Sequence, residues 1–472
     1  MNLTRLKYSL ILDTDAYKCS QFLQYPPGTT TIYSYTEPRG GYADKIMFFG
    51  LQYNLIEFIS QQITQEDIEE ARHLLLSEGK TFFNEAGWQY IVDVHDGYLP
   101  LEIRAVAEGT IVPVSNCLMT IFNTDPNCYW LTSYIEPILM RGNWYGTTVA
   151  TISWRIKRII REFFEKTASE ESMASIDYRL CDFGTRGVSS YESAMVGGAA
   201  HLSQFDSTDN IPAIRFAKAY YGSTKPIQLV PASEHSTITS WGRENEVKAY
   251  ANMVKQFGRA GMPFACVSDS YDLKAAVEHL WGEELREMVI ESGATLVVRP
   301  DSGKPSEMVL MCLELLAKKF GEYENDKGFR VLNDNVRVIQ GDGVDEDSIR
   351  EILDVMLDNC FSAENVFFGM GGALLQKVNR DTHEFAIKCS AAEIDGEWID
   401  VYKDPITSNG TKTSKKGRLS LFKNLVTGEL KTLRLEEVDP DVWEDQLVTV
   451  FLNGKVMKEY TLEEIRRNTD RG

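Results

Sequence analysis

No apolar run approaches the ~18 residues that a membrane-spanning helix needs. The amino terminus, MNLTRLKYSLILDTDAYK, has neither a signal-peptide apolar region nor a small-residue cleavage site. Cysteine is sparse: eight in 472 residues, with no C-x-x-C pair. Cys266 and Cys312 lie in apolar runs, so the pattern predicts reduced core thiols of a cytoplasmic protein, not a disulfide frame or zinc site. Positive charge is also short, with 49 Lys and Arg against 69 Asp and Glu, a net charge of −20. That sign argues against nucleic acid or an anionic membrane as partner, and any phosphate-bearing ligand must be met by a local basic cluster. The chain has no repeats and no low-complexity segment. A 43% hydrophobic, 25% charged composition excludes disorder as its main state.

What is present is a recurring unit: a short β-rich run, a polar Gly/Asp/Ser loop, then a helix. In VRVIQGDGVDEDSIREILDVML, Val336 to Ile339 read as a strand and Gln340 to Gly343 as a tight loop. Ile349, Ile352, Leu353, Met356 and Leu357 then recur at helical spacing behind an acidic first turn. Similar units begin at YRLCDFGTRG, QFDSTDN, IQLVPASEHST, FACVSDSYD, TLVVRPDSG and NVFFGMGG, about seven between Ile176 and Val378. Consecutive βα units imply parallel strands with right-handed crossovers, in an open sheet or a barrel. Residues 1–150 and 379–472 lack this rhythm and read as two parts of one discontinuous α+β domain around a βα domain at 151–378.

In such folds the chemistry collects at the carboxyl ends of the strands. RPDSG (Arg299 to Gly303) sets a guanidinium fork suited to phosphate beside Asp301, which can hold a hydroxyl or a hydrated Mg²⁺. An Arg–Asp ion pair closing the loop is the plainer alternative. QGDG offers Gly341 for close approach and Asp342 for a sugar hydroxyl. FGMGG offers Gly371 and Gly372 to an anion. It is not G-x-G-x-x-G, because Leu374 occupies the last position, and no Walker motif exists. His235 is the one histidine of six in a strand-end loop, where imidazole can act as base or nucleophile. Lys403, Lys412, Lys415, Lys416 and Arg418 form a basic run that reads equally as a solvated face or a phosphate clamp.

Taken together, TDAYK, YSYTEPRGG, NTDPNCYWL, DFGTRGVSS, PASEHSTITSWG, VSDSYD, RPDSG, VIQGDGVD, FGMGGALLQK, VYKDP and SKKGRLSL resemble the nicotinamide phosphoribosyltransferases, in order, from about Leu12 to Arg467. The resemblance implies a type II phosphoribosyltransferase: an irregular parallel βα barrel packed on a discontinuous α+β domain. It implies that nicotinamide and phosphoribosyl pyrophosphate give nicotinamide mononucleotide and pyrophosphate in NAD salvage, in a homodimer with shared active sites. By resemblance, Phe183 stacks on the pyridine, with Tyr17 of the partner subunit on the other face, and Asp209 accepts from the carboxamide. Arg186 and Arg299 meet phosphates or the ring, while Asp301, Gly341, Asp342, Gly371 and Gly372 line the ribose and 5′-phosphate. Arg39, Arg380, Lys388, Lys403 and Lys412 serve pyrophosphate and ATP. His235 corresponds to a histidine phosphorylated by ATP, and Asp269 with Asp301 are candidates for Mg²⁺ contact. His235, Arg299 and Asp301 are thus the expected catalytic residues. Departures are Cys181, where the family commonly has His, Ala373 for a third Gly, and Ala386 for a Ser.

Two rivals remain at this level. A nicotinate phosphoribosyltransferase shares the scaffold, but Asp209 would meet nicotinate's carboxylate as a like charge. A non-catalytic binding or signalling protein on the same scaffold is disfavoured by Arg299, Asp301 and His235.

Overall fold

The computed structural model describes residues 6–77, 82–405 and 414–470, and the chain divides into two compact units. One comprises Met1–Thr151, Tyr220–Gly222 and Asn379–Gly472, the other Ile152–Ala219 and Ser223–Val378. The long helix Glu136–Thr167 contains the first boundary.

The first unit is built on a seven-stranded antiparallel sheet. Its strand Thr29–Glu37 lies between the sequence-distant strands Ala386–Ile394 and Met119–Asn123. That pairing brings the last hundred residues of the chain back to the first hundred. Leu101–Ala105 alternates buried and half-buried positions, the period-two pattern of a sheet with one covered face. Ile103, Ile121, Tyr35, Trp88 and Trp130 are among its buried core residues. The helices Gln65–Ser77 and Leu462–Asp470 also belong to this unit.

The second unit is the βα barrel. Its continuous parallel sheet runs Leu180–Asp182, Val366–Met370, Val336–Gln340, Thr295–Arg299 and Pro263–Val267. Parallel bridges Asp182↔Thr208, Ser207↔Gln228 and Ala232↔Ala265 join its two edges through the two missing units. The ring therefore holds about seven segments, as the sequence rhythm implies, but two of them never become regular strands. Pro226 and Pro231 bracket the segment containing Gln228 and cannot donate to a ladder, which limits it to single bridges. Two helices are also shorter than the pattern suggests: His235–Thr239 and Gly372–Leu375. By contrast, Glu346–Asp358 is a full amphipathic helix, capped by Asp345 and burying Ile349, Ile352, Leu353 and Met356.

Ala265, Val297 and Ile339 point into the barrel with Phe183, Val230 and Phe367 against them. At the amino end, buried Arg179 donates from Nη1 to the carbonyls of Glu364 (2.9 Å) and Val366 (3.3 Å) and from Nη2 to Ser175 Oγ (2.7 Å). Its guanidinium lies 4.2 Å from the Phe367 ring centroid and 5.1 Å from that of Phe164. A lysine has one charged donor group and no planar fork with which to replace this. Arg179→Lys should lower the unfolding free energy by about 2–4 kcal/mol, read by denaturant titration. A loss below about 0.5 kcal/mol would show that the guanidinium does not hold this end of the barrel.

Candidate active site

The carboxyl ends of the barrel strands open onto a cavity of about 440 Å³. Phe183, Arg186, Arg299, Asp301, Asp342 and Lys377 line it, with Gly341, Gly371 and Gly372. Phe183 directly follows the strand Leu180–Asp182, and its N–H donates to the Met370 carbonyl (3.0 Å). Its ring lies against two strands. A Cβ on Gly369 would stand 2.0 Å from Phe183 Cε2, and one on Gly341 would stand 3.0 Å from the same atom. Neither glycine has positive φ, so close approach and not backbone conformation demands glycine there. A Cβ on Gly372 would meet nothing within 4 Å, which leaves open space over the Gly371–Gly372 turn. Ala373 is not among the residues with positive φ, so its methyl costs no backbone strain.

Asp182 holds this aromatic shelf in place. Fully buried, it accepts from Gly184 N–H (2.7 Å) and Asn210 Nδ2 (2.9 Å). Burial pushes its carboxyl up to about 6, against the pull of both hydrogen bonds. Asn210 Nδ2 donates also to the Ala194 carbonyl (2.8 Å), which fixes the amide's orientation. The Asp182 carbonyl accepts from Asp209 N–H (3.1 Å), so one residue sets the position of both Phe183 and Asp209. Asp209 is open to solvent and stands beside the cavity rather than in its wall. Cys181 Sγ lies 3.9 Å from its Oδ1. Crowding by protein raises the Asp209 carboxyl above its usual range, and Arg299 pulls it the other way.

His235 begins the helix His235–Thr239, behind the N-cap Glu234. Ser233 ties the preceding loop to the barrel: its N–H donates to the Ala265 carbonyl (3.1 Å), and its Oγ accepts from Val267 N–H (2.9 Å). His235 Nε2 is 2.9 Å from Asp269 Oδ1, and Nδ1 is 3.8 Å from Asp301 Oδ2. Asp269 Oδ2 accepts from Asp301 N–H (3.1 Å) and Ser302 Oγ (2.5 Å). Burial pushes Asp269 up, but the bonds from Ser302, His235 and Asp301 outweigh it and hold the carboxyl below its usual range. Both Asp269 oxygens are thus engaged. Asp301 is shared, since Arg299 Nε lies 3.6 Å from its Oδ1. His235 therefore connects to the cavity through Asp301 and is not itself among the residues that line it.

The remaining expected residues lie in the other unit. Lys388 pairs with Tyr35 across the sheet, and its Nζ is buried with no hydrogen-bond partner among the described residues. Burial lowers its pKa, as do Arg39, Lys403 and Lys415, against Glu37. Three further cations and one carboxylate thus act on the buried ammonium. Arg380 is exposed beside Asp381 (3.0 Å), Tyr17 is 61% exposed, and Lys412 lies outside the described residues. Much of the basic run is neutralised: Lys415 pairs with Glu37, Lys416 with Asp400 (3.8 Å) and Arg418 with Glu436 (2.6 Å). For Lys416 and Arg418 the plain surface reading holds.

The Nicotinate phosphoribosyltransferase (NAPRTase) family model matches residues 178–455, and the Nicotinamide phosphoribosyltransferase N-terminal domain matches 9–103. A nicotinamide phosphoribosyltransferase of Xanthomonas campestris pv. campestris is 52% identical over 464 residues, 98% of each chain. The chain belongs to the nicotinamide phosphoribosyltransferase family. It is accordingly a pentosyltransferase. A second member, from Acinetobacter baylyi, is 30% identical over 96% of this chain and 95% of its own. The solved nicotinate-nucleotide pyrophosphorylase of Pyrococcus furiosus superposes with a TM-score of 0.62 at 17% identity, covering 99% and 98% of the two chains. At that identity the likeness establishes the fold alone.

Beyond Asp182 and Asn210, sequence reasoning also missed Lys377 and Gly369. Lys377 adds a third cation to the cavity wall, and the quoted ALLQK motif contains it without marking a role. Gly369 reads as an ordinary strand-end glycine until the Phe183 ring is seen over it.

Gly369→Ala must displace the ring. The variant should fold, with the KM for the pyridine substrate raised about tenfold or more, since a misplaced stacking face costs ~1.4 kcal/mol or more. An unchanged KM would mean the ring is no substrate platform. Asp182 gives a pH signature. Its carboxyl is raised in the fold, so its stabilising contribution is complete in acid and is lost as pH rises through about 6. The stability advantage of wild type over Asp182→Asn should therefore be roughly 2–3 kcal/mol larger at about pH 4 than at about pH 7, by denaturant titration. A difference of the opposite sign would contradict the burial argument.

Proposed function

We propose that this chain joins nicotinamide to phosphoribosyl pyrophosphate, forming nicotinamide mononucleotide and pyrophosphate for NAD salvage. The observation that carries the reading is the Phe183 shelf over Gly369 and Gly341, set by Asp182 beside Asp209 at a mouth holding Arg186, Arg299 and Lys377. The shelf offers a flat apolar face to a pyridine, and Asp209 an acceptor to its carboxamide N–H₂. The neutral ring nitrogen bonds to ribose C1 while the C1–O bond to pyrophosphate breaks with its electron pair. No proton moves at the nitrogen, so the site needs no general base there. It needs alignment, and opposite charges along the reacting axis. Asp301 and Asp342 hold ribose hydroxyls and favour positive charge gathering on the sugar. Arg186, Arg299 and Lys377 favour the phosphates. Arg39, Lys388 and Lys403, with Arg380 and Lys412, are the phosphate-binding residues we propose in the other unit.

Mg²⁺ would neutralise the diphosphate when bound. Among the mouth's carboxylates, Asp301 would hold it with substrate phosphates and water, since both Asp269 oxygens are already engaged. Among the described residues, the one converging His/Cys/Asp set is His95, Asp125 and Cys128, in the other unit, so no all-protein cage is offered at the mouth. ATP would transfer its γ-phosphoryl group to His235, releasing ADP. Asp269 engages Nε2, which leaves Nδ1 as the accepting nitrogen. The resulting charge lies beside Asp301 and requires cations to hold it. A homodimer gives exposed Tyr17 its place, as the second face of the pyridine site of the partner. No described helix is long and apolar enough to cross a membrane.

Purified protein with Mg²⁺ and phosphoribosyl pyrophosphate should convert nicotinamide far faster than nicotinate at neutral pH, and faster still with ATP. His235→Ala should lose ATPase activity and phosphoenzyme while keeping a slow, ATP-insensitive transferase rate. Failure to form mononucleotide from nicotinamide would overturn the substrate reading, and an unchanged ATPase in His235→Ala would overturn the phosphohistidine alone.

A further inference from the structure

The Cys181 thiol meets the Asp209 carboxyl, the acceptor proposed for the carboxamide. We infer that Cys181 and Asp209 form a proton-sensitive selector: the Cys181 thiol holds the Asp209 carboxylate ready to accept nicotinamide's N–H₂, and protonation of Asp209 opens the same site to nicotinate. The inference rests on the nicotinamide reading and deepens it.

The geometry places the pair at the end of the first barrel strand. Cys181 is buried, its Sγ 3.9 Å from Asp209 Oδ1, and Asp209 N–H is anchored to the Asp182 carbonyl. Burial keeps this thiol protonated, with Asp209 and Asp182 acting in the same direction, so it is a donor and not a nucleophile. The charged and titratable groups facing Asp209 are Cys181 and Asp182 from one strand and Arg299 from another. The protein packed around one side of Asp209 opposes the ionised carboxylate, while Arg299 and Cys181 favour it. The balance raises the Asp209 carboxyl above the range of an ordinary aspartate.

The two protonation states suit two different ligands. Ionised Asp209 accepts from an amide N–H₂ and repels a carboxylate. Neutral Asp209 carries one O–H, which donates to a carboxylate, and it loses the charge that repelled it. Substrate choice then follows the proton on Asp209. Cys181 acts through Asp209 and is a positioning residue: removing the S–H donor moves the switch to higher pH.

The test measures kcat/KM for nicotinamide and for nicotinate, without ATP, between about pH 5.5 and about pH 8 in wild type, Cys181→Ala, Cys181→Ser and Asp209→Asn. In wild type the nicotinamide-to-nicotinate ratio should fall about tenfold or more as the pH drops. In Cys181→Ala that fall should begin at higher pH, by about half a unit or more, and the hydroxyl of Cys181→Ser should return it toward wild type. Asp209→Asn should make the ratio independent of pH. A wild-type ratio that stays constant over the range would overturn the selector while nicotinamide turnover left the parent reading intact. A Cys181→Ala profile that superposes on wild type after scaling would reduce Cys181 to packing and overturn its role. Unfolding midpoints of the Cys181 variants near wild type show that any shift is not a folding defect. Should Cys181→Ala not fold, Cys181→Val, close in shape and likewise without a donor, takes its place in the same comparison.

Discussion

The Phe183 ring lies across the carboxyl end of the barrel at a distance that no side chain on Gly369 could tolerate and that would press on one at Gly341. That contact sets much of the mouth's design. Side chains that would ordinarily fill this layer of a barrel are replaced by one aromatic ring delivered from a loop. The ring is apolar on the side that meets Ala265, Val297 and Ile339. Keeping it there requires the turn after Asp182, and the turn requires a buried carboxylate whose two hydrogen bonds do not offset its burial in full. The site thus stores a modest electrostatic cost one residue away from its recognition surface.

Charge is handled by the same economy. In this acidic chain many cations are spent in surface pairs, such as Arg330 with Glu314 and Glu322, or Arg155 with Glu346. Against that background, Arg186 and Lys377 are conspicuous in one cavity wall beside the Arg299–Asp301 pair, as is the Lys388 ammonium, buried near three cations and the single carboxylate Glu37. Desolvated like charges are unfavourable in an empty protein and become favourable when an anion arrives. His235 belongs to a third arrangement, in which Asp269 is engaged by the imidazole and the following loop and Asp301 connects to the cavity.

Much of this was legible in the sequence because its signals are local. The helix Glu346–Asp358 shows its buried face by spacing, and the strand-end loops announce their glycines and carboxylates by type. The seven-part rhythm also translated into a ring, although Pro226 and Pro231 reduce one segment to bridges that no periodicity could reveal. What stayed hidden depends on distant pairs. His235 and Asp269 are 34 residues apart, and nothing in either loop states that they meet. Gly369 and Phe183 come from the last and first barrel strands, so their contact exists only once the ring has closed. Lys377 follows a helix of four residues, too short to show a periodic face. The basic run was ambiguous because charge composition alone does not show which carboxylates lie opposite.

The most direct measurement is a structure of the protein with nicotinamide bound. The account predicts the pyridine ring parallel to Phe183, its carboxamide nitrogen within hydrogen-bond distance of Asp209, and its ring nitrogen facing the space between Arg299 and Gly371. A nicotinamide bound away from Phe183, or bound there with its carboxamide turned from Asp209, would contradict it.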